Sequence, residues 1–296
     1  MSIKSKVLFG AIRIAMRRGG APTVEALRRL QGPPLMDGKE VRGVAFRDDF
    51  LGTITVEVSE PEGELQGDLL FLHGGAYIAG TRRSVRPIIG AVCREAGWRG
   101  WSPEYRLGPE HPFPAGLDDA VAAWVALLER GVDLSRTMLG GESAGGGLAL
   151  ATAIALRDRG LPMPAGLVLL WPWTDLTLSG ASVRSNARKD YLPRALMEIG
   201  VQAYCTDPTD PLVSPLNADL AGLPPVFLQV GGHDMVRDDS TRLALRLEAA
   251  DVAHVLHVWR GMPHAWVGAG DGIKEARKAA VQTAAWMRAQ IQRSNA

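Results

Sequence analysis

The 296-residue chain has little of what marks a disulfide scaffold, a metal centre, a nucleic-acid binder or a membrane protein. Cysteine is nearly absent: Cys93 and Cys205 stand far apart and fit no metal-ligand spacing. Two such residues suit a reducing compartment better than a disulfide framework, with a single bridge between them left open. Neither sign of charge is in excess, since 33 Lys and Arg meet 32 Asp and Glu for a net charge of +1. A surface so balanced offers no field for nucleic acid or for an anionic membrane. Long apolar runs are missing as well. No stretch approaches the length of a transmembrane helix, which argues against stable membrane insertion. In "MSIKSKVLFGAIRIAMRRGG" the residues Lys4, Lys6 and Arg13 interrupt any secretory apolar region. Ile3, Val7, Ala11 and Ile14 recur there at helical spacing instead, which predicts an amphipathic surface helix. Repeats, low-complexity segments and long linkers are lacking too. The expectation is a soluble, cytoplasmic chain of one large domain or two small ones.

What is there is an alternation of short apolar runs and helical patterns from residue 41 onward. "VRGVAF", "TITVEV" and "DLLFLHGG" read as strands, followed by "WRGWSPEYRL". "AGLDDAVAAWVALLER" then places Leu117, Val121, Trp124, Val125 and Leu128 on one helical face. "TMLGG" is a short strand and "AGGGLALATAIALRDRG" the helix after it; "GLVLLW" and "PVFLQV" are continuous apolar runs, as strands covered on both faces of a parallel sheet require. "HVLHVW" precedes a last helix through Ala279, Gln282 and Trp286. The pattern predicts an α/β fold with a doubly covered sheet. One segment breaks the rhythm: Pro172 to Pro224 is too long for a structureless loop in a compact domain. It reads as an inserted cap working with N-terminal cap helices over residues 1–40, with a crossover helix and a long loop as the alternative.

"MLGGESAGGGLAL" sets a single serine, Ser143, among five glycines. Gly141-Glu142-Ser143-Ala144-Gly145 matches G-x-S-x-G, a pattern that is weak alone but falls here where a strand gives way to a helix, the setting of a nucleophile elbow. Serine needs a base and an orienting acid. Of the six histidines, His254 and His257 lie on opposite faces of one strand, and His111 and His233 sit in loops without a supporting pattern. His264 follows the last strand in "GMPHAW", at the carboxyl edge where an α/β sheet gathers its site. Asp234 directly follows "PVFLQV", whereas Asp238 and Asp239 read as the start of the next helix. Ser143, Asp234 and His264 thus stand in the order nucleophile, acid, histidine. "LHGGAY" adds a glycine turn after another strand, and the N–H groups of Gly74, Gly75 and Ala144 are the expected oxyanion donors.

Together "HGGAY", "YRLGPEHPFPAGLDDA", "GGESAGGG", "HDMVRDD" and "GMPHAW" resemble the signature blocks of the bacterial hormone-sensitive-lipase-like esterases (family IV), in order from about Asp68 to His264. The resemblance implies an α/β-hydrolase fold, a mostly parallel central sheet flanked by helices with a helical cap. Residues 41–296 would form the catalytic domain, with the cap insertion at about 175–222. It also implies hydrolysis of short- to medium-chain carboxylic esters, with the roles above for Ser143, Asp234, His264, Gly74, Gly75 and Ala144. Ala76 replaces the family's frequent third glycine, Glu142 its commoner Asp, and Gly108 its usual Ala; none removes a catalytic group. The "YRL…PEHPFP" block is expected to brace the oxyanion loop. Tyr77, Trp171, Trp173, Tyr191, Leu192 and Tyr204 are candidate substrate-pocket walls, with core packing the alternative for such aromatics.

The chemistry implied is acyl transfer to water through a serine ester, requiring neither cofactor nor metal. The same machinery suits a lactone, amide or thioester, which the sequence does not separate. A non-catalytic hydrolase-fold binding protein is disfavoured because such relatives usually lack a triad member. No G-x-x-x-x-G-K-[ST] loop is present, and no lysine lies three positions after Ser143 as an S-x-x-K enzyme requires. A homodimer through an exposed sheet edge or the last helix stays open, because an unpaired edge invites pairing.

Overall fold

The computed structural model describes residues 1–18, 23–31 and 41–294. Two helices open the chain, α1 (Ile3–Arg18) and α2 (Val24–Gln31). Then come β1 (Val44–Leu51), β2 (Ile54–Pro61), β3 (Asp68–Leu72), α3 (Arg86–Ala96), β4 (Arg99–Pro103), α4 (Ala115–Glu129), β5 (Thr137–Glu142), α5 (Ala144–Asp158) and β6 (Leu167–Leu170). The short α6 (Ser182–Ser185) and α7 (Arg194–Tyr204) precede β7 (Val226–Gly231), α8 (Arg237–Ala249), β8 (His254–Trp259) and α9 (Lys274–Ser294).

The eight strands form one sheet in the order β1-β2-β4-β3-β5-β6-β7-β8. β2 runs antiparallel to both its neighbours, β1 and β4, and every pairing from β4 through β8 is parallel. The central strands β3, β5, β6 and β7 are buried on both faces, which is why they read as unbroken apolar runs. β8 is an edge, and Val255 and Val258 on it stay partly in solvent. α5 is buried almost throughout, wedged beneath the sheet's carboxyl edge, so its residues are apolar all round rather than on one stripe.

Two elements depart from the sequence expectation. α3 was not signalled, because Pro87 and Gly90 interrupt its pattern. Pro87 sits in the first turn, where a missing N–H costs nothing. Gly90 lets Val41 and Phe46 approach closely. α1 forms, but Ile3, Val7, Ala11 and Ile14 face outward, Ile3 being 81% and Val7 68% exposed. The packed face is instead Ser5, Phe9 and Ile12. Ser5 donates to Glu275 on α9 at 2.8 Å, and Phe9 stacks on Tyr191 at 6.4 Å between ring centres. A tertiary hydrogen bond thus decides which side of the helix is covered. The expected N-terminal unit also includes residues 19–22 and 32–40, which lie outside the described residues.

Candidate active site

β5 ends at Glu142, and the chain reverses at Ser143 into the first turn of α5. Ser143 holds φ 55° and ψ −123°, a conformation that a residue with a Cβ adopts only under constraint. The constraint is crowding. A methyl at Gly141 would collide with the Gly145 carbonyl, and one at Gly145 with the carbonyls of Leu72 and His73. Trp173 N–H donates to the Ser143 carbonyl at 2.9 Å, and Ser143 N–H to Leu170 at 3.0 Å, fixing the turn against β6.

His264 meets this serine from the loop after β8. Its Nε2 lies 2.9 Å from Ser143 Oγ, and its Nδ1 lies 3.0 Å from each carboxylate oxygen of Asp234. Nδ1–H donates to the carboxylate, which leaves the Nε2 lone pair facing the hydroxyl. All three side chains are buried, and Asp234 Oδ1 also accepts from Val236 N–H at 2.9 Å. Burial disfavours the imidazolium. The charge and hydrogen bond of Asp234, followed by Asp190 and Glu142, outweigh it, so the His264 pKa rises above the ordinary imidazole value.

The glycine turn is arranged differently from expectation. Gly74 N–H donates to Glu142 Oε1 at 2.7 Å, so it points away from the serine and is already satisfied. Gly75 and Ala76, one residue further on, line the cavity beside Ser143. Among the described residues none accepts from the N–H of Gly75, Ala76 or Ala144. The unengaged N–H groups beside Ser143 are thus those of Gly75, Ala76 and Ala144, while that of Gly74 is taken. Glu142 is the cause, since its other oxygen accepts Trp171 Nε1–H at 2.8 Å and holds the carboxylate over Gly74. The "YRLGPEHPFP" block lies behind. Tyr105 hydroxyl donates to the His73 carbonyl at 2.6 Å, and Gly108 N–H to Tyr77 at 2.9 Å. His73, pushed toward the neutral form by burial, stacks on Tyr105 at 4.2 Å and donates Nδ1–H to Gly74 at 2.8 Å.

A cavity of about 120 Å³ opens on Ser143 and His264. Of the candidate wall residues, Trp173, Tyr191 and Leu192 line it. Tyr77, Trp171 and Tyr204 do not. Tyr77 and Tyr204 stack on each other at 4.0 Å, buried behind the wall, and Trp171 is wedged against Trp266 with its indole N–H on Glu142. Such aromatics have more area to bury than the small cavity can use. Met16, Leu27, Leu196 and Met197 complete the wall and were not anticipated. Glu110 and His111 stay out of the site; Glu110 pairs with Arg28 on α2 at 2.6 Å. Asp190 was missed altogether. It comes from the 175–222 segment, is buried, and accepts from the backbone N–H groups of Met235 and His264. Asp190, Asp234 and His264 lie close enough to suggest a metal cluster. Their oxygens, however, face backbone and imidazole N–H groups, leaving no shared lone-pair focus.

A parallel sheet with a serine elbow, an acid after the next-to-last strand and a histidine after the last defines an α/β hydrolase. A family model of the alpha/beta hydrolase fold matches residues 69–268. The chain is 39% identical over 241 residues to an acetyl-hydrolase of Streptomyces hygroscopicus, covering 80% of this chain and 81% of that one. It is 36% identical over 259 residues to a carboxylesterase of Mycobacterium tuberculosis, covering 81% and 80% respectively. The crystal structure of an esterase from the bacterial hormone-sensitive lipase family superposes with a TM-score of 0.92 at 36% identity, over 98% of this chain and 99% of that one. Within the α/β-hydrolase superfamily, the chain belongs to the bacterial hormone-sensitive-lipase-like esterases.

Proposed function

We propose that this protein is a serine carboxylesterase that hydrolyses small carboxylic esters through an acyl-enzyme. The observation that carries the reading is the continuous relay from Ser143 Oγ through His264 to Asp234, ending in a cavity beside unengaged backbone N–H groups. Ser143 Oγ attacks the ester carbonyl as His264 Nε2 takes its proton. Asp234 holds the tautomer and balances the imidazolium. The N–H groups of Gly75, Ala76 and Ala144 receive the oxyanion, each such donor being worth about 3 kcal/mol in the transition state. His264 then protonates the leaving alcohol and activates the water that releases the acid.

The 175–222 segment and the N-terminal helices act in this reading as the cap. Met16, Leu27, Leu192, Leu196 and Met197 close the cavity from that side. A cavity of about 120 Å³ closed on the far side by these residues suits a short acyl group. Acetyl to butyryl esters are therefore the preferred class. Assay of p-nitrophenyl esters from acetate to decanoate, with lactones alongside, tests this. A maximum at the short esters supports the reading, and turnover of lactones alone replaces it with a lactonase.

Among the described residues no helix is long and apolar enough to cross a membrane. A cytoplasmic location is supported by the unpaired state of Cys93 and Cys205. Val255 and Val258 on the edge strand β8, 37% and 47% exposed, favour a homodimer across that edge, which sedimentation would reveal.

A further inference from the structure

The catalytic acid and histidine sit on separate loops, and separate loops do not hold atoms to catalytic tolerance by themselves. The Asp234 loop is gripped by three side chains of the inserted segment. Ser182 hydroxyl donates to the Met235 carbonyl at 2.6 Å, Asn186 Nδ2 donates to the Asp234 carbonyl at 2.8 Å, and Asp190 Oδ2 accepts from Met235 N–H at 2.9 Å. Of these, Asp190 alone also reaches the other loop. Its Oδ1 accepts from His264 N–H at 3.1 Å and from Tyr191 N–H at 2.7 Å. One carboxylate therefore joins the residue after the acid, the histidine itself and a wall of the cavity.

We propose that Asp190 is a positioning residue of the triad, a buried carboxylate through which the inserted segment fixes His264 against Asp234. The chemistry of the side chain suits the task. Four N–H donors converge on it, those of Met235, His264, Tyr191 and, at 3.5 Å, Leu192, and only an ionised carboxylate accepts from all four without presenting a donor of its own. A second negative charge beside Asp234 is the cost, and burial together with that neighbour raises the Asp190 pKa above the usual carboxylate value. The same charge acts on the histidine. The charged groups bearing on His264 are Asp234, Asp190 and Glu142, and each favours the imidazolium that forms as Ser143 attacks. The inserted segment then does more than shape the cavity: displacing it would loosen the base.

This inference rests on the esterase reading, and the test separates the two. Asp190→Asn keeps the shape but loses the charge, and it turns an amide NH₂ toward a backbone N–H. Asp190→Ser removes the reach altogether. With p-nitrophenyl butyrate, both are expected to lower kcat by about 10²-fold, the scale of a small misplacement of reacting groups, and to leave KM little changed. The acid limb of kcat/KM should move to lower pH, because a charge that favours imidazolium is gone. A loss confined to KM or to thermal stability, with the acid limb in place, would make Asp190 a simple anchor and overturn the proposal. Should neither variant fold, hydrogen exchange on the wild-type protein decides. The amides of Met235 and His264 are expected to exchange as slowly as those of β7, and exchange as fast as an exposed loop would refute the clamp. An inactive wild type would instead refute the esterase reading, while the exchange experiment would still report on Asp190.

Discussion

Replacing Glu142 by Gln probes the carboxylate that occupies Gly74 N–H, and with it the proposed oxyanion donors Gly75 and Ala76. The wild-type carboxylate accepts twice, from Gly74 N–H at 2.7 Å and from Trp171 Nε1–H at 2.8 Å. Glutamine has one acceptor oxygen and one NH₂, so one of the two N–H groups must face another donor. Trp171 is fully buried. A buried donor left unpaired costs about 1–3 kcal/mol. At roughly 2–4 °C per kcal/mol for a domain of this size class, Tm should fall by about 2–12 °C. The effect on chemistry depends on which bond survives. If Gly74 is released, Gly75 and Ala76 lose their register; one misplaced oxyanion donor lowers kcat by about 10²- to 10³-fold. Glu142 also favours the charged form of His264, so its neutralisation shifts the acid limb of kcat/KM to lower pH. The assay is the pH profile with p-nitrophenyl butyrate, paired with thermal unfolding. Unchanged Tm, kcat and acid limb would refute the assignment of Glu142 as the staple.

Two further outcomes follow from the site. His264 must be neutral to accept the serine proton, and its pKa is raised by Asp234, Asp190 and Glu142. Activity should therefore rise only as pH passes above about 6.5, the ordinary imidazole value; a profile flat down to about pH 5 would remove His264 as base. Leu192→Ala enlarges the cavity from the side of the 175–222 segment, and the acyl-length optimum should move toward hexanoate with acetate turnover nearly kept, whereas an unchanged ester profile would place the acyl group elsewhere.

The strands β6 and β7 were legible because burial on both faces writes itself as apolar runs, and the loops after β5, β7 and β8 carry Ser143, Asp234 and His264. Those positions follow from chain order and the end of each strand, both of which are local. What was not legible is tertiary. Nothing in "HGGAY" says that a carboxylate from another strand will occupy Gly74 N–H, which is why we propose Gly75 and Ala76 as the donors. Asp190 lies in "RKDYLPR", which has no motif; its meaning comes from the two loops that converge on it. α1 showed a clean apolar spacing at Ile3, Val7 and Ile14, yet the bond from Ser5 to Glu275 turns the opposite face inward. Tyr77 and Tyr204 read as pocket walls by type, but stacking on each other removes them from the cavity.

The central claim is that Ser143 is a nucleophile made reactive by His264. Diethyl p-nitrophenyl phosphate tests it without turnover: Ser143 Oγ would bond to phosphorus, His264 would take the proton, and p-nitrophenolate would leave. Mass spectrometry should find one diethylphosphoryl group per chain, on the peptide carrying Ser143, with esterase activity lost in step. Ser143→Ala should take no label. Inactivation with the adduct on another residue, or equal labelling of Ser143→Ala, would contradict the account.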